Sequence, residues 1–80
     1  MSDSAVAASI IDALHQTADR ELGKSALVSV NIEMITAPND GAPEVSITRR
    51  TRTLVFLSAN FRGADGTRIA SANSIHKLLA

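Results

Sequence analysis

SAVAASIIDALHQTADRELGKSALVSVNIEM, residues 4–34, decides the architecture because its apolar spacing changes once, at Gly23. Before the glycine, Val6, Ile10, Leu14 and Ala18 recur at every fourth residue, flanked by Ala7, Ile11 and Leu22. That is the stripe of an amphipathic helix over residues 4–22. Ser2, Asp3 or Ser4 can cap its start, Gly23 is the expected stop, and Lys24 suits the negative end of the dipole. Asp12, His15, Gln16 and Asp19 fall on the opposite, solvent-facing side. After the glycine, Val28, Val30, Ile32 and Met34 alternate with Ser29, Asn31 and Glu33, which predicts a half-buried strand over residues 26–37.

Outward from this stretch the period-2 character continues. Pro38 to Pro43 reads as a loop, and Val45-Ser46-Ile47-Thr48 resumes a strand over residues 44–50. Arg49 to Thr53 is the natural hairpin. Leu54 to Phe61 is β-rich with weaker alternation, so the strand over residues 53–63 is expected to be central with both faces covered. Ala64-Asp65-Gly66-Thr67 is a second hairpin, and residues 67–79 close the chain as a strand of small residues. The sum is one α+β domain over residues 1–80, a helix packed on a four-stranded antiparallel sheet. Such a sheet leaves two edges and one face uncovered, which favours a homodimer joined edge to edge.

Composition narrows the function. The chain has 80 residues, no Cys, two His and two Phe, with 45% hydrophobic residues. Disulfides and thiolate zinc sites are excluded, and no metal site is expected. The lack of Cys is compatible with a reducing compartment, and a cytoplasmic location is expected. No basic leader and no apolar run of membrane-spanning length is present, so neither a signal peptide nor a membrane segment is expected. Two aromatic residues are too few for a single-strand stacking platform, which argues against a nucleic-acid partner. Net charge is zero, yet residues 1–44 carry −5 and residues 45–80 carry +5. Arginines that merely solvate strand faces would explain the split; so would a phosphate-bearing ligand or a self-partner of opposite charge.

Five segments taken in order carry a resemblance: Ile11-Asp12-Ala13, Val28 to Met34, Pro38, Arg49 to Phe56, and Asp65 to Ala70. Together they resemble the hotdog-fold acyl-CoA thioesterases, especially the phenylacetic-acid-degradation type and the small thioesterase-superfamily proteins, over residues 10–79. The resemblance implies a long helix wrapped by a curved sheet, in a homodimer or homotetramer with paired interface sites. It implies hydrolysis of an acyl-CoA thioester, coenzyme A entering only as part of the substrate. By position, Asp12 matches the helix carboxylate that serves as base or nucleophile, and Ser29 a strand hydroxyl that orients water. Arg49, Arg50, Arg52 and Thr53 fall where relatives contact coenzyme A, and guanidinium groups suit its phosphates. Without the resemblance, Asp12 reads as a solvated helix-face carboxylate, Ser29 as an outward strand serine, and the arginines as a solvated hairpin. Lys77 and His76 are a vaguer basic match, with His76 expected at the surface.

Two departures from the family pattern stand out. Thr51 occupies the hairpin's usual Gly position, and a β-branched residue resists positive φ. The His-Gly-Gly type turn whose N–H groups form the oxyanion hole would fall on Asp3-Ser4-Ala5, and the usual first strand has no counterpart. The resemblance therefore implies either a shortened or reorganised member with impaired catalysis or a missing piece supplied by another chain. The alternative function is a non-catalytic module for dimerisation or acyl-CoA binding.

Overall fold

A computed structural model describes residues 2–79. The helix α1 runs Asp3–Leu22, followed by strands β1 (Ser25–Met34), β2 (Gly41–Arg50), β3 (Leu54–Gly63) and β4 (Arg68–Leu78). Ser2 caps α1, its Oγ accepting the Ala5 N–H at 3.1 Å, and Gly23 ends it at φ +96°, donating to the Asp19 carbonyl. Only glycine adopts that φ without strain.

All neighbouring strands are antiparallel, in the order β1-β4-β3-β2. The four-residue stripe of α1 (Val6, Ile10, Leu14, Ala18) is completely buried against one face of the sheet. That face offers Val55, Leu57, Ala59 and Phe61 from β3 with Ala70 and Ala72 from β4, partners such as Phe61–Ala70 and Ala59–Ala72 lying directly opposite. Val30 and Ile32 of β1 and Val45 of β2 extend this core sideways.

Three expectations change. The second strand begins at Gly41, inside the expected loop, and Pro43 lies within it opposite Phe61. Proline is tolerated there because β2 is an edge strand. At Gly41 an added Cβ would run into the Arg62 carbonyl, so the strand can start so close to β3 only on a glycine. The first strand ends at Met34, short of Ala37. β3 is central, but α1 covers only one of its faces: Val55, Leu57, Ala59 and Phe61 are buried while Leu54, Phe56, Ser58 and Asn60 are half-exposed.

Two of the three register shifts in the sheet re-aim side chains near the helix. One between Leu27 and Ser29 puts Leu27 opposite His76 on the helix side and Ser29 opposite Ile75 on the far side. The other lies between Ile47 and Arg49. It turns Arg49 away from the helix, 5.8 Å over the Phe56 ring, and returns Arg50 to the helix side, 3.2 Å from Glu21.

Phe61 is the largest fully buried side chain. Phe61→Ala is expected to cost about 3–5 kcal/mol, most of the stability of so small a domain, as read from the denaturant midpoint. Gly41→Ala should also destabilise, whereas Lys24→Ala, at an exposed site, should leave the midpoint within about 0.5 kcal/mol of wild type.

Candidate functional site

Between α1 and β1 lies a cavity of about 250 Å³ walled by Ile11, Leu14, Leu27 and Val30, with Asp12, His15 and His76 completing it. Helical spacing puts Ile11, Asp12, Leu14 and His15 on one flank, and the first bulge supplies Leu27. Asp12 is exposed at this apolar lining.

Beneath His15, the sheet holds a buried polar pair. His76 is 1% exposed, and its Nε2 lies 2.8 Å from Ser74 Oγ. Its Nδ1 is buried with no hydrogen-bond partner among the described residues. The expectation of a surface His76 is thus corrected: the register Val55–His76 puts the ring on the helix-facing side. Burial pushes the His76 pKa down, the nearby His15 adds to the effect, and Asp19 partly opposes it. The ring of His15 lies 6.4 Å from that of His76, and its Nε2 is 3.3 Å from Asp19 Oδ2. Asp19 is held in turn by Ser25, whose Oγ–H and N–H donate to Oδ1 at 2.7 and 3.0 Å. The Ser25 hydroxyl is the main cause of a lowered Asp19 pKa. Asp12, His15 and Gln16 are exposed as expected and Asp19 is half-buried, but the four residues divide between two flanks of the helix. Asp12 and His15 line a cavity, Asp19 ties the helix end to β1, and Gln16 faces the other flank toward β2.

Asp12 and Ser29 are not brought together within one chain. Ser29 lies on the face of the sheet away from α1, beside a cavity of about 300 Å³ with Asn31, Thr48, Phe56 and Asn73. The arginines are also divided. Arg49 stacks on that far face, Arg50 pairs with Glu21, and Arg52 and Thr53 are exposed in the turn. Thr51 replaces glycine without strain: no non-glycine residue described has positive φ, and the turn closes by reciprocal Thr51–Leu54 bonds. At the other end, residues 3–5 form the first turn of α1, and the Ala5 N–H is already taken by Ser2. Nine residues of helical rise separate Asp3 from Asp12, roughly 14 Å along the axis. Among the described residues no group of three or more His, Cys, Asp or Glu could hold a metal, and no helix is long and apolar enough to cross a membrane.

No protein-family model and no curated protein sequence matches the chain. Solved structures do. A Bacillus halodurans protein solved with CoA superposes with a TM-score of 0.87 at 15% identity, over 95% of this chain and 57% of its own. A Thermus thermophilus protein gives 0.85 at 12% identity, over 96% and 67%. Thioesterase superfamily member 2 from Mus musculus gives 0.72 at 19% identity, over 94% and 59%. The architecture is the hotdog fold shared with these structures, here with one helix on four antiparallel strands. The chain spans about half to two thirds of the length of these structures.

The buried histidine gives a pH signature. Below the ordinary histidine pKa of 6.5 the unfolded chain takes up a proton that folded His76 resists, so stability falls as pH drops from 7 toward 5. The loss is capped at about 2 kcal/mol for one proton. Asp19 and Asp65, both with lowered pKa values, act in a separate window below 3.8. Urea midpoints at pH 7 and 5 should differ for wild type and converge for His76→Gln.

Proposed function

We propose that this protein is an acyl-CoA thioester hydrolase that works as a homodimer or homotetramer. The observation that carries the reading is Asp12 at the lip of an apolar cavity large enough for a short acyl or aryl group. In this mechanism the acyl group enters between Ile11, Leu14, Leu27 and Val30. Asp12 takes a proton from water, the water oxygen attacks the thioester carbonyl carbon, and the C–S bond breaks to release the acid and the CoA thiol.

The nucleotide end is assigned to the Arg49–Thr53 hairpin. Arg52 is the arginine with its charge least committed, because Arg50 faces Glu21 and Arg49 lies over Phe56. CoA carries its phosphates and its thioester at opposite ends of a long pantetheine arm, so one ligand can address both the hairpin and Asp12. The CoA present in the Bacillus halodurans neighbour supports a ligand of this type.

Association follows from the β1 edge. Leu27, Val28, Met34 and, just beyond the strand, Ile35 are exposed there, on a strand with one row of backbone groups unpaired. Pairing two β1 strands about a two-fold axis would cover these residues beside both Asp12 cavities. It would also give Ser29 its one route to a catalytic role, through the partner copy.

A specific observation favours a second reading. The helix start is capped by Ser2 and lies far from Asp12, so the described residues offer no evident oxyanion donors at the cavity. A hotdog module that binds acyl-CoA without turnover fits that arrangement.

A panel of short, medium and aryl acyl-CoAs with a thiol reagent separates the two. The hydrolase reading expects turnover that Asp12→Asn lowers about 10²-fold or more with the melting temperature unchanged. Thermal protection by CoA with no turnover selects the binding module. Val28→Glu is expected to shift the sedimentation mass to that of a monomer; an unchanged mass rules out the β1 interface.

A further inference from the structure

The cavity contains a second titratable group whose surroundings are more elaborate than those of Asp12. His15 follows Asp12 by three residues, so the two project from the same flank of α1 into the same lining. Behind His15 stands Asp19, one turn on, with Oδ2 3.3 Å from His15 Nε2. Asp19 is itself immobilised, because Ser25 at the start of β1 donates both its hydroxyl and its N–H to Oδ1. A carboxylate fixed by two donors, facing an imidazole that borders a cavity, is more than a helix surface needs. A solvated His–Asp pair at this spacing would contribute little to stability.

We infer that His15, positioned by Asp19, is the general acid that protonates the departing sulfur in the thioester hydrolysis proposed above. The inference rests on that reading and adds the group the reading lacks. The proton balance closes within the cavity. Asp12 takes one proton from water as the oxygen bonds to the carbonyl carbon. The C–S bond then breaks, and the imidazolium of His15 gives its ring proton to sulfur, forming the thiol. Asp12 returns the proton it took to His15, so both groups regain their starting states with no outside reactant. Asp19 fixes the ring orientation through its contact with Nε2, which makes it a positioning residue rather than a catalytic one. The charged and titratable groups around His15 are Asp12 and Asp19 on α1 and His76 on β4. β1 presents Ser25, Leu27 and Val30, none of which titrates. Burial lowers the His76 pKa, which disfavours a second positive charge beside His15.

The test exploits the leaving group. An alkyl thiolate such as that of CoA gains from protonation, whereas an electron-poor aryl thiolate leaves readily without it. His15→Gln should lower kcat on the preferred acyl-CoA by about 10²-fold but cost under about 10-fold on the matched thioester of 5-thio-2-nitrobenzoate. The alkaline limb of the pH–kcat profile should also disappear. Asp19→Asn should lower kcat on acyl-CoA while sparing the aryl thioester, in parallel with His15→Gln. Melting temperature and sedimentation mass are measured for each variant, and Gln16→Ala, facing the other flank, serves as the neutral control. Equal losses on both thioesters, or none on either, overturn the role of His15 while leaving Asp12 and the hydrolase reading intact. A wild-type protein inactive on every acyl-CoA overturns the hydrolase reading, and this inference with it.

Discussion

The docking of one helical stripe onto one face of the sheet organises everything else in the molecule. Val6, Ile10, Leu14 and Ala18 are buried together with Val55, Leu57, Ala59 and Phe61 of β3 and the alanines of β4. Hydrophobic burial of this kind is the dominant favourable term in a domain without disulfides or metals. Small residues at Ala59, Ala70, Ala72 and Ser74 leave room for the helix above the middle of the sheet. The helix also touches the outer strands β1 and β2, and the cavity lined by Asp12 lies on the β1 flank. On the β2 flank the equivalent space is a more polar groove running past Gln16, Arg20 and Glu21.

Polar groups inside this small core are few, and each is costly enough to need a reason. Ser74 answers one nitrogen of His76 and no other described residue answers the second. An unpaired buried nitrogen costs about 1–3 kcal/mol, a substantial fraction of what such a domain has to spare. Ser25 and Asp19 are the contrasting case. Their paired hydrogen bonds tie the C-terminal turn of α1 to the first residue of β1 and orient the carboxylate next to His15. The same joint therefore holds helix to sheet and equips the cavity.

Much of this was legible in the residues. The change of period at Gly23, the buried stripe of α1, the Ala64–Thr67 turn and the order of five elements follow from local spacing and turn chemistry, which depend only on neighbours in the chain. The ordered segments resembling hotdog thioesterases carried the fold as well. Asp12 was legible as a candidate through that resemblance alone, since one carboxylate on a helix surface carries no signal of its own. His15 and Asp19 carry no such signal of their own in the sequence, because the polar face of a helix normally faces water. The signal available for them was Ser25, a hydroxyl placed just past the helix stop and six residues from Asp19.

What the sequence by itself determined is the set of elements, their polarity and the stripe that must be buried, because periodicity is a local property of helices and strands. Tertiary structure alone decided which side chains meet. His76 became a core residue through strand register, which no local pattern encodes. Two bulges, each a single extra residue, moved Leu27 into the cavity wall, sent Arg49 to the far face and returned Arg50 to Glu21. Because side chains alternate with period two, one inserted residue reverses the faces of those that follow. The position of that insertion is settled only when the strands pair.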